Sequence, residues 1–347
     1  MNNSVQLWDG QLSVITRPVP HVSNPSEVIV KVAYSGICDR DLQILEGELP
    51  AAKCVVLGHE FSGVVSDVGS DVKNVSIGDR VVVNPNSSCN TCKACRRGQP
   101  HFCEKGGTGS AIGVWKNGGW TQYARVHAPN IHIVPPQVSL KQAALCEPIS
   151  CVLHGLDKLH PAARDSKILV SGTGVTGLLW MCILHFHGYR RVTVIEFSEQ
   201  WRMLAMGLSL GFKILHPDTV HTDLVEATQS QNNTWGFDVI IECTGLSVLV
   251  QSAIKWLGYG GKLLIFGSSA KDSEVKISPY EILHKEIQIL GSSMNPFSFL
   301  HSVELVRDMS EYLDYEKLGI SVFKLTDYQA ALTKLKQGSV LKAVFAT

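Results

Sequence analysis

The chain contains 347 residues, a length that predicts two domains or three small ones. Lys and Arg together number 31, as do Asp and Glu, so the formal net charge is zero, and we expect neither nucleic acid nor an acidic membrane surface as a partner. Hydrophobic residues make up 45% of the chain and charged residues 18%, a composition that excludes intrinsic disorder and low-complexity character.

The first 150 residues are predicted to form mostly β-structure. Short runs of β-branched and aromatic residues alternate there with turn pairs such as Gly-Ser, Gly-Asp and Gly-Gly. The runs that predict strands are Val28–Tyr34, Val64–Val68, Arg80–Asn84 and Trp120–Val126.

From about residue 165 the pattern changes to alternating strands and helices. The predicted strands are Lys167–Ser171, Arg191–Ile195, Phe237–Ile241 and Lys262–Phe266, with helix-like segments between them. This alternation predicts an α/β domain with a doubly wound parallel sheet. After about residue 290 the alternation fades, and the strand-like tail Leu341–Phe345 is expected to return to the first domain.

The apolar run Ile168–Phe186 is long enough to be compared with a membrane span. Three glycines interrupt it, so a strand, a turn and a helix explain it better, and we expect no membrane partner. The first ten residues lack the basic start and apolar core of a secretory signal, and we therefore expect a cytoplasmic, reducing location.

Four of the ten cysteines lie within 15 residues, in the pattern Cys89-x2-Cys92-x2-Cys95-x7-Cys103. Four thiolates at this spacing are typical of a structural zinc site. The neighbouring basic residues keep a second interpretation open, a zinc ribbon that binds nucleic acid, but the zero net charge argues against it. These basic residues are Lys93, Arg96, Arg97 and Lys105.

Gly172, Gly174 and Gly177 form a G-x-G-x-x-G motif between a predicted strand and a predicted helix. In this context the motif predicts a dinucleotide site, because the glycines allow a tight turn and close approach of the pyrophosphate. Glu196 ends the next predicted strand and can bind both ribose hydroxyls, which favours NAD over NADP. An NADP alternative stays open because of nearby arginines at positions 190, 191 and 202.

Several motifs resemble those of the zinc-containing medium-chain alcohol and polyol dehydrogenases. The motifs are Gly36-Ile37-Cys38-x-x-Asp41, Gly58-His59-Glu60-x-x-Gly63, the four-cysteine run, Glu147-Pro148-Ile149-Ser150 and the glycine motif, in the family's order. The resemblance covers nearly the whole chain and is strongest to the sorbitol, arabinitol and threonine dehydrogenase branch.

The resemblance implies a Rossmann domain plus a β-rich, GroES-like catalytic domain. It assigns residues 1–150 to the catalytic domain, with the structural zinc lobe at about 86–106. Residues 151–290 would bind NAD, and residues 291–347 would return to the catalytic domain.

Carried over to this sequence, the resemblance makes Cys38, His59 and Glu147 the protein ligands of a catalytic zinc, with water or substrate as the fourth ligand. Cys146 competes with Glu147 as third ligand, and the match at the Glu-Pro pair favours Glu147. Two zinc ions per chain are therefore expected, one catalytic and one structural.

The resemblance also assigns roles to two acidic residues near these ligands. Glu60 stands where the family has a second carboxylate that sometimes binds the metal. Asp41 stands where the family has a residue that orients the ligating histidine.

The activity implied is hydride transfer between NAD(H) and a secondary alcohol of a small polyol, with zinc activating the alcohol oxygen. A threonine-type or phosphorylated-polyol dehydrogenase and a non-catalytic relative remain as alternatives. A homodimer or homotetramer is expected from the resemblance alone.

One position departs from the family pattern. Arg40 occupies the place where many relatives have a serine or threonine hydroxyl that passes the alcohol proton to solvent. Arginine stays protonated and cannot serve as such a relay. One interpretation is that Arg40 pairs with Asp39 or Asp41 and leaves water to carry the proton; the other is that its guanidinium contacts a substrate anion or a cofactor ribose.

Overall fold

The structure, a computed structural model, describes residues 1–219 and 236–347. The chain divides into two compact units. The first comprises Met1–Ser150 and Met294–Thr347, and the second comprises Cys151–Ser293.

Two β-sheets form the first unit. The smaller has the strand order β2-β1-β4, formed by β1 (Asn2–Trp8), β2 (Gln11–Arg17) and β4 (Cys54–Val56). The larger has the order β15-β16-β3-β5-β6-β8, and β7 pairs with β3. Its strands are β3 (Glu27–Gly36), β5 (Phe61–Val68), β6 (Arg80–Val83), β7 (Tyr123–His127), β8 (Ile131–Ile133), β15 (Ile320–Lys324) and β16 (Lys342–Ala346).

Most helices of the first unit are short, and its apolar core lies against the strands. Two clusters of buried side chains, one around Trp120 and Phe345 and the other around Val30 and Phe61, fill the interior. The α-helices that begin in this unit are α1 (Asp39–Leu45), α2 (Lys93–Arg96), α3 (Leu140–Ala143), α4 (Cys146–Leu159), α9 (Phe299–Asp308) and α10 (Tyr328–Lys336).

Two strand pairings bring distant segments to the end of β3. β16 runs antiparallel to β3, with Val344 opposite Gly36. β5 pairs with the other side of β3, with Phe61 opposite Ser35. The residues that follow β3 and precede β5 therefore meet the start of β16.

The second unit contains a six-stranded sheet whose strands are all parallel, which confirms the predicted parallel sheet. Its order is β11-β10-β9-β12-β13-β14, the order of a Rossmann sheet. The strands are β9 (Ile168–Ser171), β10 (Val192–Ile195), β11 (Lys213–Leu215), β12 (Phe237–Glu242), β13 (Leu257–Ile265) and β14 (Gln288–Gly291). The helices described within it are α5 (Val175–Phe186), α6 (Glu199–Gly207), α7 (Ser247–Trp256) and α8 (Pro279–Lys285).

The apolar run at residues 168–186 consists of strand β9, a glycine turn and helix α5, as the sequence predicts. Helix α5 has 12 residues. Among the described residues, no helix combines the length and the apolar character needed to cross a bilayer.

Candidate active site

Cys38 caps the amino-terminal end of helix α1. Its backbone N–H donates a hydrogen bond to Asp41 Oδ2 at 2.9 Å. Asp41 is the third residue of the helix and is completely buried. A carboxylate in the first turn satisfies a backbone donor and interacts favourably with the helix dipole. This local capping fixes the positions of the Cys38 thiol and the Asp41 carboxylate relative to each other.

His59 lies between strands β4 and β5 and is buried. Its Nδ1 is 3.5 Å from Asp41 Oδ1, and its imidazole also interacts with the Cys38 thiol. Burial disfavours the protonated imidazole, but the charge and hydrogen bond of Asp41 outweigh burial and raise the pKa of His59 well above its usual value. Asp41 therefore lies where it can orient the ring, as expected from the sequence.

Glu60 forms a buried ion pair with Lys342, the first residue of β16. Lys342 Nζ lies 2.5 Å from Glu60 Oε2 and donates a second hydrogen bond to the Ile37 carbonyl at 3.1 Å. Burial opposes protonation of the amine, but the Glu60 charge prevails, so the pKa of Lys342 is raised. The packing is tight, because a Cβ at Gly36 would lie 2.0 Å from Glu60 Oε2.

Sequence reasoning did not single out Lys342. The available signal was a single lysine at the start of the apolar predicted strand at residues 341–345. A buried lysine needs a charged partner. A lysine in a strand that is predicted to return to the first domain was therefore a candidate site residue.

Cys38, His59 and Glu60 each offer one ligand atom, and these atoms all lie within 4.8 Å of one another. Glu147 does not belong to this group, although His59, Glu60 and Lys342 act electrostatically on its carboxylate. Burial is the largest influence on Glu147 and raises its pKa. The structure thus brings two of the three expected zinc ligands together, and it groups them with Glu60 rather than with Glu147.

Cys146, the competitor for the third ligand position, is completely buried. Burial raises the pKa of its thiol to about 12, and the thiol interacts with the Ser302 hydroxyl of helix α9. Neither Cys146 nor Glu147 belongs to the group of Cys38, His59 and Glu60, so the preference for Glu147 over Cys146 as third ligand stays a prediction.

Arg40 is half-buried in the first turn of α1, between Asp39 and Asp41. Within residues 1–219 and 236–347, its guanidinium has no ion pair with either neighbour, and its charge acts on Glu147. The structure therefore does not show the pairing of Arg40 with Asp39 or Asp41. The physical reason is that both carboxylate oxygens of Asp41 already face the Cys38 N–H and His59.

The four clustered cysteines have ligand atoms within 4.8 Å of one another, as a single metal ion requires. Cys92 Sγ lies 3.5 Å from Cys95 Sγ and 3.9 Å from Cys103 Sγ. Four sulfurs placed about 2.3 Å from a tetrahedral centre would be about 3.8 Å apart, so the spacing fits zinc. Hydrogen bonds from Thr91 and from the Cys92 N–H lower the pKa of Cys89 to about 5, which makes its thiolate available at neutral pH.

The glycine motif forms the turn between β9 and α5. Gly172 has φ +95°, and a Cβ at Gly177 would lie 2.0 Å from the Gly172 carbonyl oxygen, so strand and helix approach closely there. Gly174 caps α5, and a Cβ there would meet no atom within 4 Å. The open space beside the first N–H groups of the helix fits a pyrophosphate.

Glu196 is buried beside this turn. Its Oε2 accepts hydrogen bonds from the Thr173 N–H at 2.8 Å and the Thr173 hydroxyl at 3.0 Å, and its Oε1 accepts one from the Ser198 N–H at 2.9 Å. A carboxylate has about four acceptor positions, so capacity remains for a ribose hydroxyl.

Two domain families match this chain: the alcohol dehydrogenase GroES-like domain over residues 24–136, and the zinc-binding dehydrogenase domain over residues 175–310. D-arabinitol dehydrogenase 1 of Uromyces fabae is 33% identical over 330 residues, which cover 95% of this chain and 92% of that protein. The chain belongs to the zinc-binding medium-chain dehydrogenase family.

Two further comparisons extend the likeness to other members of the medium-chain dehydrogenase family. D-arabitol-phosphate dehydrogenase of Enterococcus avium is 28% identical over 340 residues, which cover 96% of this chain and 93% of that protein. A solved zinc-binding dehydrogenase of Sinorhizobium meliloti 1021, bound to NADP, has a TM-score of 0.90 and 30% identity, covering 100% of this chain and 99% of that one. As a medium-chain dehydrogenase the protein is an oxidoreductase, and the predicted combination of a Rossmann domain with a GroES-like domain is confirmed.

The three arginines that keep NADP open as an alternative cofactor donate hydrogen bonds to backbone carbonyls. Arg202 donates to the carbonyls of Glu196 and Phe197 at 2.8 and 2.7 Å, Arg190 to those of His185 and Tyr189, and Arg191 to that of Asp165. In a medium-chain dehydrogenase a 2′-phosphate would need such a cation to face the ribose. Of the three, only Arg202 contacts the backbone of Glu196.

Proposed function

We propose that this protein is a zinc-dependent polyol dehydrogenase that transfers a hydride between NAD(H) and a secondary alcohol of a small polyol or sugar alcohol. The observation that carries the proposal is the buried group of Cys38, His59 and Glu60, with ligand atoms within 4.8 Å of one another. A thiolate, an imidazole and a carboxylate are the ligand types of a catalytic zinc with one open position. Two relatives are by name dehydrogenases of a polyol or a polyol phosphate, which supports this substrate class.

Glu147 is proposed as the third protein ligand, with Glu60 in a supporting role. The argument is electrostatic, because the Glu60 carboxylate already has a cation, Lys342, at 2.5 Å. Burial raises the pKa of Glu147, and the positive charges of His59, Lys342 and Arg40 oppose that effect. Comparing bound zinc in Glu147→Gln and Glu60→Gln separates the two, since the substitution at the true ligand lowers zinc content more.

A zinc ion held by Cys38, His59 and Glu147 would lower the pKa of the substrate hydroxyl, and a bound NAD⁺ would supply the hydride acceptor. The residues of this chain prepare the site for that step. Asp41 orients His59, and Lys342 holds Glu60 while neutralising its charge. Arg40 cannot accept the hydroxyl proton, so water carries that proton to solvent.

The proposed activity is tested by mixing purified protein and NAD⁺ with a panel of pentitols, hexitols and their phosphates while following NADH absorbance. NADH formation that is lost on chelation and in Cys38→Ala supports the proposal. Cys54→Ala is the matched control, because that exposed thiol lies outside both ligand groups. A panel in which no polyol reduces NAD⁺ refutes the proposal.

The domain roles follow from the placement of the motifs. We propose that the first unit is catalytic and carries a second, structural zinc on its four-cysteine lobe, while the second unit binds NAD. Thiolates within 4.8 Å of one another support the structural zinc. A preference for NAD over NADP is supported by the position of the Glu196 carboxylate beside Thr173, next to the glycine turn.

A homodimer or homotetramer is also proposed. Strand β14 is the terminal strand of the six-stranded sheet, and Leu283 and Tyr280 of the preceding helix α8 are largely exposed. An exposed edge strand flanked by apolar side chains favours pairing with a second copy. We further propose a cytoplasmic location, because no disulfide bond joins any of the ten cysteines, all of which lie in the described residues, as expected in a reducing compartment.

A further inference from the structure

The positive charges around the buried ligand group differ in their partners. Lys342 is committed to Glu60 and to the Ile37 carbonyl. His59 faces Asp41. Lys342 therefore already has a partner of opposite sign, and pairing it with a ligand would leave the buried Glu60 carboxylate unpaired.

Arg40 has no such partner. Among the residues that the structure describes, no carboxylate lies within 4.0 Å of its guanidinium and no acceptor receives a hydrogen bond from it. Its side chain is half-buried on the first turn of α1, two residues after Cys38. Its charge acts on the Glu147 carboxylate.

A half-buried guanidinium without a partner has lost part of its hydration without compensating hydrogen bonds. The planar fork of five N–H donors matches the oxygen pairs of phosphates and carboxylates. A neutral hydroxyl group would use only part of this donor set and would leave the charge unpaired.

Resting on the proposed polyol dehydrogenase activity, we infer that Arg40 is a specificity-determining residue that binds an oxyanion of the substrate. The preferred substrates are therefore polyols that carry a phosphate or a carboxylate group. Two carboxylates of the site oppose such a substrate little, because Glu60 is paired with Lys342 and Asp41 faces His59; the third, Glu147, is a carboxylate on which the Arg40 charge acts.

The test compares three substrates of similar size on the holoenzyme: a neutral hexitol, its monophosphate and the corresponding aldonate. Wild-type protein is compared with Arg40→Ser and Arg40→Lys. In Arg40→Ser the ratio of kcat/KM for the anionic over the neutral substrate should fall about 10- to 100-fold. Arg40→Lys keeps the charge without the fork and should lose less.

Arg307→Ser removes the same charge from an exposed position that is paired with Asp308, and it serves as the matched control. In this control the ratio of kcat/KM for the anionic over the neutral substrate should equal that of the wild type. Thermal unfolding of each variant identifies any variant that fails to fold. If Arg40→Ser does not fold, the kcat/KM ratio of Arg40→Lys tests the inference instead.

Binding of the same ligands, measured by calorimetry, separates failure of the inference from failure of the proposed activity. Loss of affinity for the monophosphate or the aldonate in Arg40→Ser supports the inference even if no substrate is turned over. If only one of the two anions is affected, that anion is the group recognised. Equal effects on anionic and neutral ligands, or a wild-type protein that prefers neutral polyols, overturn the inference.

Discussion

Lys342 and Glu60 form an ion pair in which both side chains are almost completely shielded from solvent. Replacing Lys342 with Met leaves the Glu60 carboxylate buried without its cation, so the free energy of unfolding should fall by about 3–5 kcal/mol. Denaturant unfolding of wild-type and variant protein measures this difference.

The matched control is Lys336→Met, which removes a lysine from an exposed pair with Glu46 at 2.9 Å. An exposed pair contributes about 0–1 kcal/mol, so this control should be nearly as stable as the wild type. Equal decreases in the free energy of unfolding in the two variants would contradict the prediction that the buried pair stabilises the protein more than the exposed pair does.

The Glu196 carboxylate is the feature on which cofactor preference depends. Glu196→Ser should lower kcat/KM for NAD about ten-fold or more, as for a lost charged hydrogen bond, and should raise the NADP to NAD ratio because the repulsion of a 2′-phosphate is gone. Steady-state kinetics with both cofactors measure the ratio. Arg191→Ser is the control for a change of charge at a nearby position. A wild-type enzyme that uses NAD and NADP equally well would contradict the prediction.

At individual positions the sequence predicted those groupings that depend on a local motif. Cys38 and Asp41 lie in one helical turn, so their proximity follows from four consecutive residues. The pairing of Glu60 with Lys342 spans the length of the chain and could not be derived from composition or spacing. Whether Arg40 could pair with Asp41 depended on the other contacts of the Asp41 carboxylate. Only the three-dimensional structure shows these contacts.

At the level of elements, the turn between β9 and α5 offers a paired test of its glycines. Gly177→Ala places a Cβ 2.0 Å from the Gly172 carbonyl oxygen, so helix and strand must move apart and stability should drop by about 1–3 kcal/mol. Gly174→Ala meets no atom within 4 Å, so the fold should tolerate it while NAD binds more weakly, because the methyl group fills space that the pyrophosphate needs. Thermal unfolding and NADH titration separate the two effects, and equal stability losses would contradict this account.

The four-cysteine lobe is expected to hold the more resistant of two zinc ions. Cys92→Ser should lower folding yield and remove that zinc, because a structural zinc contributes folding free energy directly, whereas Cys38→Ser should remove only the zinc that chelators extract. Elemental analysis of each variant before and after chelation measures both ions. Cys54→Ser, which changes an exposed thiol outside both groups, should keep two zinc ions, and a wild-type protein that holds only one zinc, absent from Cys38→Ser, would contradict the four-cysteine assignment.

Elements with a clear residue pattern could be predicted from the sequence. The bounds of elements that depend on contacts with distant segments could not. The strand, glycine turn and helix at residues 168–186 follow from glycine spacing and apolar runs. The predicted strand at Trp120–Val126 begins later in the structure, as Tyr123–His127, because Trp120 is a buried core residue whose indole N–H donates to the Gly36 carbonyl. The hairpin of β1 and β2 is absent from the predicted strands, although Val5 and Leu7 alternate with polar residues and Asp9-Gly10 between the strands is a common hairpin turn.

For the whole molecule, the exposed edge of the Rossmann sheet leads to a prediction about assembly. A chain of 37.9 kDa should sediment as a species of two or four times that mass. Replacing Ile289 of β14 with Lys places a charge on the edge strand and should shift the equilibrium toward monomer. Val14→Lys on the exposed strand β2 is the control, and a wild-type monomer at micromolar concentration would refute the proposal.

The two candidate zinc sites differ in how much of the chain must come together before each is complete. The four-cysteine site needs a loop of 15 residues, whereas the Lys342 amine that completes the surroundings of Glu60 reaches back 305 residues to Ile37. Closing a short loop is fast, and contacts between distant segments form late. During folding the lobe can therefore capture its metal early, while the catalytic group stays unassembled until β16 has joined β3. Topology therefore predicts that a zinc ion at the four-cysteine lobe is acquired before one at the group of Cys38, His59 and Glu60.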